Sequence, residues 1–342
     1  MSQVSSVKRR ILISAIEPSA DQHAARLLAE TDGEYFGLGG ACCIAQGLKL
    51  LPGVHMDKLA VMGFVEVLGA LPHVLNAYRA LIRAAVELRP DQIILVDYPG
   101  MHIHVAKKLI KLGMKVTYYI PPKVWIWRAY RVKILQKCDL VICIFPFEAE
   151  WLKARGVRAV TARNPILSRL PEPKERQEML VLMPGSRLSE VKRHTRVMLD
   201  AAKLVIHQRP MRIVVPCPQL SEVRAYLAQF DVECLEVPAL ELLAESALGI
   251  IKSGTSSLEA ACALCPHVVI YKTHPVTLWL FKMLSGYKSF ISLPNLIAGK
   301  NIVPELIGNA ATPARIAETL LAINNHKQQE AFRAIVKQLE AQ

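Results

Sequence analysis

The sequence predicts an α/β protein of two doubly wound, Rossmann-like domains facing a cleft, and three observations predict it. The chain has 342 residues, more than one ordinary core holds and suited to two domains of roughly 150–180 residues each. Short apolar runs rich in β-branched residues alternate with helical patterns almost throughout, as in parallel sheets covered on both faces. That alternation breaks once, at the Pro-bearing link NPILSRLPEPKE (164–175), and then restarts. The expected division is therefore 1–165, 166–311 and a polar, helical tail 312–342 that packs on the N-terminal domain or on a partner chain.

In chain order, the first domain's strands are ILISAI (11–16), IILVD (93–97), KVTYYI (115–120) and LVICIF (140–145). The second domain's are MLVLMPG (179–185), RIVVPC (212–217), VECLEV (232–237), LGIIKSG (248–254) and HVVIYK (267–272). In such sheets ligands bind beyond the carboxyl ends of the strands, so the loops after these runs are where chemistry is expected. The first is IEPSADQH (16–23), with Glu17, Ser19 and Asp21; Ser19 and Gln22 have capping-box spacing, so a plain helix start reads equally well. Next, VDYPGMH (96–102) puts Asp97 at a strand end, either as a general base toward an acceptor hydroxyl or as a cap for the following helix. GLGG (37–40) reads only as a turn.

In the second domain, LMPGSRLSEVKRH (182–194) is a strand, a tight turn and a helix. Gly185 allows close backbone approach, the helix start offers free N–H groups, and Arg187 beside Ser186 adds a bidentate cation for a phosphate. An ordinary strand-to-helix turn with a surface arginine fits too. IIKSGTSSLEAACAL (250–264) carries more: Gly254 opens the turn, and Thr255, Ser256 and Ser257 crowd the first helical positions, a nest suited to a diphosphate. Glu259 stands three residues after Ser256, so it either completes a capping box or accepts hydrogen bonds from ribose hydroxyls.

Composition narrows the classes. There are 42 Lys and Arg against 29 Asp and Glu, a net charge of +13, which attracts polyanions. The stretch from Tyr98 to Cys138 holds nine Lys or Arg and no acid, and it contains PPKVWIWR (121–128). No nucleic-acid reading motif accompanies these charges. Eight scattered Cys without a CxxC pair read as reduced thiols rather than disulfides or metal ligands. The apolar run behind the N-terminal basic residues is too short for a signal sequence. No run is long enough to span a bilayer, although residues 59–75 are apolar nearly all round a helix, hence buried or lying in a membrane interface. There is no DxD pair, no GxxxxGK[ST] and no GxGxxG after the first strand, which disfavours a metal-dependent transferase, a P-loop kinase and an NAD enzyme.

Seven stretches, in order, resemble the lipid-A-disaccharide synthase family (glycosyltransferase family 19): EPSAD (17–21), LAVMGFVEVL (59–68), PPKVWIWR (121–128), FPFE (145–148), MPGSR (183–187), SGTSSLEA (253–260) and SLPNLIAGK (292–300). The resemblance implies a glycosyltransferase-B fold and an inverting hexosyltransferase of lipid A biosynthesis in Gram-negative bacteria, joining UDP-2,3-diacylglucosamine to 2,3-diacylglucosamine 1-phosphate (lipid X). It implies no cofactor and no metal. Carried onto this chain, it makes Asp97 the base candidate, with Glu17 beside it. Arg187, Ser186, Gly254, Thr255, Ser256, Glu259, Asn295 and Lys300 become the nucleotide grip. Ser19, Asp21, Met62, Val65, Trp125, Trp127 and Arg128 become the acceptor and lipid contacts. It further implies a cytoplasmic protein held peripherally on the anionic inner membrane, and a homodimer with exchanged C-terminal helices.

This chain also departs from the family pattern. The usual first loop is Gly-Glu-Pro-Ser-Gly-Asp; here Ile16 and Ala20 replace the glycines, and their side chains are expected to narrow the pocket. A second loop aspartate is Gly100, the usual Asn is His102, and the usual Gly-His before the link is Arg163-Asn164. A divergent paralogue that binds UDP-sugar or lipid, with altered acceptor or without turnover, is the alternative reading; a UDP-sugar epimerase is a third.

Overall fold

The computed structural model describes residues 8–56, 59, 64–126, 129–172, 174–218, 220–273 and 290–340, with the backbone alone for 64–70. The chain divides between Ala162 and Arg163, three residues before the boundary the sequence suggested. In the first unit the order is β1 (Arg10–Ala15), α1 (Pro18–Ala29), β2 (Glu34–Leu38), α2 (Ala41–Ala45), β3 (Lys49–Leu50), α3 (Phe64–Leu88), β4 (Gln92–Val96), α4 (Pro99–Lys111), β5 (Val116–Tyr119), α5 (Val132–Leu135), β6 (Leu140–Cys143), α6 (Pro146–Lys153) and β7 (Ala159–Thr161). The seven strands form one sheet, order β3-β2-β1-β4-β5-β6-β7, and every pairing is parallel. The chain thus winds outward from β1 in one direction and from β4 in the other, and their junction is the switch point at which such sheets bind ligands.

Successive side chains of a strand point to opposite faces, and the core divides accordingly. Leu12, Ile93, Leu95, Val116 and Tyr118 pack with α3 and α4 residues such as Leu81, Val105 and Leu109. Ile11, Ile13, Ile94 and Val96 pack with Ala20, Ala24 and Leu28 of α1. Ile16 belongs to the first of these cores and Ala20 to the second. Neither lies in the positive-φ region, so neither position needs the backbone freedom of glycine, and both side chains pack inward.

The second unit runs β8 (Gln177–Met183), α7 (Leu188–Gln208), β9 (Arg212–Pro216), α8 (Ser221–Leu227), β10 (Glu233–Leu235), α9 (Ala239–Glu245), β11 (Ser246–Lys252), α10 (Thr255–Cys262), β12 (His267–Tyr271), α11 (Leu293–Ala298), β13 (Glu305–Ile307), α12 (Pro313–Leu321) and α13 (Asn325–Glu340). Its sheet has the order β10-β9-β8-β11-β12-β13, again all parallel. One face packs Leu180, Leu182, Ile250 and Val268 against Val191 and Met198 of α7 and Ile316 and Leu320 of α12.

Within the second unit, α12 packs on α7, and α13 packs on α10 and α11. Phe332, Ile335 and Leu339 of α13 are buried, and Phe332 stacks on His267 at 5.2 Å. Gln328 locks the contact, accepting from His267 N at 2.8 Å and donating to the carbonyls of His267 and Ile302. The apolar stripe of the tail thus covers its own domain.

GLGG is likewise more than a turn. Gly37 lies in β2 with φ +145°, and a Cβ there would sit 1.7 Å from the Ile13 carbonyl oxygen, so only glycine fits between these paired strands. We therefore expect Gly37→Ala to cost several kcal/mol and to abolish or strongly lower the thermal transition. Gly100→Ala, at a position whose Cβ would meet nothing within 4 Å, should leave it within a few degrees; equal effects would contradict this packing.

Candidate active site

In the first unit, the loops after β1, β4, β5 and β6 leave the same edge of the sheet and carry Glu17, Asp97, the 121–126 turn and Glu148. Asp97 and Tyr98 both take left-handed backbone conformations, φ 50° and 46°, rare for non-glycine residues and costly for a bulky one. Three hydrogen bonds hold the bend: Asp97 N donates to the Tyr119 carbonyl (2.8 Å), and the Tyr118 hydroxyl (3.0 Å) and His102 Nδ1 (2.8 Å) donate to the Asp97 carbonyl. Because a carbonyl only accepts, His102 carries its proton on Nδ1, leaving Nε2 to accept from Ser14 Oγ at 2.8 Å. Burial pushes His102 down to about 4, so the ring is neutral. His102 thus supplies the clamp.

The helix following this bend is capped by Tyr98, which makes no side-chain cap bond, and Asp97 is not its cap. The Asp97 carboxyl is raised by burial above its ordinary value, against the lowering effects of a Tyr98 backbone hydrogen bond and the Lys123 charge. Glu148, at the start of α6, is raised to about 7, first by burial and then by the Asp97 charge, although Trp125 and Lys123 oppose the shift. Trp125 Nε1 donates to Glu148 Oε1 at 2.9 Å, and its ring meets Phe147 edge-on at 5.1 Å. Two carboxyl groups and one lysine therefore share a field beside a tryptophan. Nothing local in the sequence reveals the part of Glu148 and Lys123, because they lie 51 and 26 positions from the Asp97 whose field they share.

Glu17 is the backbone N-cap of α1 with Pro18 following, and its charge raises the Tyr98 hydroxyl, which places it near the bend. Ser19 is exposed within α1 and is not the cap, so the capping-box reading with Gln22 fails. Asp21 is buried, and its carboxylate accepts from Gly40 N (2.8 Å), Cys42 N (3.0 Å) and Cys43 N (3.1 Å). Burial would raise its pKa, but these bonds hold it below the usual value. It ties down the start of α2, a structural role for the residue the resemblance puts among the acceptor contacts. Met62, Trp127 and Arg128 lie outside the described residues, as does the Val65 side chain.

In the second unit β8 and β11 are neighbours, with Met183 paired to Ile251, so the turns that follow them emerge side by side. Gly185 (φ +127°) and Gly254 (φ +153°) make the two turns. Arg187 is the N-cap of α7, with its side chain 57% exposed and 3.8 Å from Glu190. Ser186 N donates to Glu190 Oε2 at 3.3 Å, and Lys252 Nζ donates to Glu190 Oε1 at 2.8 Å. Gly254 is the N-cap of α10; Thr255 is exposed and Ser256 half-buried at its first positions, and Ser257 Oγ turns back to the Gly254 carbonyl. Since Ser256 is not the cap, Glu259 does not complete a capping box. Its carboxyl is raised by burial, with Arg169 opposing.

Two predicted contacts do not join these turns. Asn295 is buried and spent: its oxygen accepts from Ile302 N (2.8 Å) and Val303 N (2.9 Å), and its amide donates to Val303 O, Asn301 and Glu305. It shapes the turn into β13. Lys300 lies before the amino end of β13, at the opposite edge of a parallel sheet, and lines a groove with Asn324, Lys327 and Glu330. Among the described residues no cluster of three or more His, Cys, Asp or Glu could hold a metal ion.

Such a pair of parallel-sheet units has solved counterparts among glycosyltransferases and an epimerase. The glycotransferase of kitacinnamycin matches with TM-score 0.62 at 13% identity, covering 98% of this chain and 96% of that one. The calicheamicin glycosyltransferase CalG4 matches at 0.60 and 14%, with 98% and 94% covered. A putative UDP-N-acetylglucosamine 2-epimerase from Listeria monocytogenes also matches at 0.60, with 15% identity and coverage of 95% and 91%; at such identities the likeness is one of fold, the two-domain glycosyltransferase architecture. Sequence goes further. A family model described as Lipid-A-disaccharide synthetase matches residues 11–342. The lipid-A-disaccharide synthase of Myxococcus xanthus is 37% identical over 333 residues, 90% of this chain and 86% of that protein. Its Azotobacter vinelandii counterpart is 36% identical over 359 residues, covering 96% and 94%. The chain belongs to the lipid-A-disaccharide synthase family, and is by class a glycosyltransferase.

Proposed function

We propose that the protein transfers 2,3-diacylglucosamine from UDP to 2,3-diacylglucosamine 1-phosphate with inversion, releasing UDP. The observation that carries this is the Asp97 bend: a half-buried carboxyl whose pKa burial has raised, at the edge of a parallel sheet in a chain of this family. The acceptor hydroxyl oxygen attacks the donor's anomeric carbon and its proton passes to Asp97. The bond from that carbon to the diphosphate breaks, and its electron pair leaves with UDP. In the second unit, the amide groups of the Gly185 and Gly254 turns, together with Arg187, Thr255 and Ser256, bind the diphosphate as its charge grows. Glu259, desolvated and without a capping role, accepts from the ribose hydroxyls. Glu17 stands beside the base, and Trp125, held by Glu148, forms a wall of the acceptor site.

The reading of a silent relative rested on Ile16, Ala20 and Gly100. The Ile16 and Ala20 side chains lie in the core and do not fill the site, and although Gly100 lacks the second loop carboxylate, Asp97 keeps the first, so turnover is favoured. UDP release measured with both acylated substrates tests the proposal; the absence of both UDP and disaccharide would contradict it. Asp97→Asn is expected to lower kcat about 10²–10⁴-fold, the usual contribution of a general base, while UDP binding is kept. A base must be ionised to act, so activity falls as pH drops through its pKa. Because that pKa is raised, the acid limb of kcat/KM should lie above the ordinary carboxyl value of 3.8.

The same reading places the protein peripherally on an anionic membrane. No helix among the described residues is long and apolar enough to cross one. Leu71 and Leu75 of α3 are exposed at 60% and 44%, beside the exposed Pro72, and Lys107, Lys108, Lys111, Lys115, Lys123, Lys133 and Lys137 face solvent. Each lysine near such a surface adds about 1 kcal/mol. Vesicles containing anionic lipid should sediment the protein at low salt, and Leu71→Glu with Leu75→Glu should release it; equal binding to neutral vesicles would contradict the charge contribution.

A further inference from the structure

We infer that Lys252 is a diphosphate-binding residue of this protein, positioned by Glu190. The inference rests on the nucleotide reading of the second unit and adds to it a cation that the loop motifs do not reveal. Lys252 is the last residue of β11, where a strand side chain would ordinarily be judged by its burial alone. Its ammonium instead borders the Gly254 turn and pairs with a carboxylate that borders the Gly185 turn. A Cβ placed on Gly254 would sit 3.6 Å from Lys252 Nζ, and one placed on Gly185 would sit 2.6 Å from Glu190 Oε2. The two turn glycines therefore border the same ion pair, whose Nζ–Oε1 distance is 2.8 Å.

A purely structural ion pair would explain the distance but not the location. The side chains of Lys252 and Glu190 remain 17% and 20% exposed, at the edge where two helix starts present free amides. An ammonium has three donors, and Glu190 takes one, the single acceptor recorded for Lys252 among the described residues. The other two are available to an oxyanion lying over the Gly254 turn. Glu190 meanwhile also accepts from Ser186 N and faces Arg187, so it fixes the geometry of both cations. With two cations and one carboxylate, the turn pair keeps a net positive charge. A group with two adjacent phosphates spans such a pair of turns better than a single phosphate does.

The test is calorimetry with UDP and with uridine on the full chain. For wild type, UDP should bind more tightly than uridine. Lys252→Met should weaken UDP by about tenfold or more, the usual scale for a hydrogen bond to a charged group, while uridine affinity stays unchanged. Lys252→Gln, which keeps a hydrogen-bond partner for Glu190, should show the same selective loss, and Lys252→Arg should recover most of the affinity. Failure of wild type to bind UDP would overturn the nucleotide reading itself. If wild type binds UDP and both neutral variants bind it equally well, the inference about Lys252 falls alone. A parallel loss of uridine and UDP affinity would likewise overturn it, since that marks a role in shape rather than in charge.

Discussion

The first domain depends on the bend at Asp97 and Tyr98. Two consecutive left-handed residues cost of the order of 1–3 kcal/mol each and persist only where the surroundings over-determine them. Here the surroundings are specific: a backbone carbonyl at the end of β5, a tyrosine hydroxyl from the same strand, and a neutral imidazole from α4 that is itself held by Ser14 of β1. Four elements thus meet at one peptide. The clamp turns the Asp97 side chain out of the helix-capping position and leaves it desolvated near Lys123 and Glu148. A carboxyl in that environment is a better base than one in water, because burial penalises its charged form.

The second domain solves a different electrostatic problem with similar means. Parallel strands bring helix starts to one edge, and glycines at positive φ let backbone amides turn toward a ligand. Glu190 is the organising group there, binding a turn amide and a lysine while facing an arginine. A lone cluster of cations over such amides would repel itself, and one internal carboxylate relieves that without cancelling the positive field.

Much of the fold was legible in the sequence because parallel sheets bury both faces, so their strands appear as continuous apolar runs; nine such runs correspond to observed strands. β2, β3, β7 and β13 were not legible. Two are three residues long and β3 is two, and EYFGL in β2 carries a glutamate and a glycine that interrupt the pattern. Within the site, residues on strand-end loops were visible because topology says where to look. Asp21 and Asn295, polar residues in matching loops, each carry hydrogen bonds that close the loop itself, a duty no local pattern encodes. Lys252 with Glu190, and Trp125 with Glu148, are contacts across 62 and 23 positions, and no local pattern encodes such pairs. Ile16 and Ala20 show the converse: replacing glycine matters only where the backbone or the space requires one, and here the core absorbs both side chains.

The fold raises the Asp97 carboxyl by burying it at a clamped bend. The direct measurement is a carboxyl ¹³C titration of aspartate-labelled protein, with Asp97→Asn used to assign the signal. A midpoint clearly above 3.8, the ordinary value, is expected. A midpoint at or below that value would mean that Lys123 and the backbone hydrogen bond outweigh burial, and Asp97 would then be a poor base in this protein.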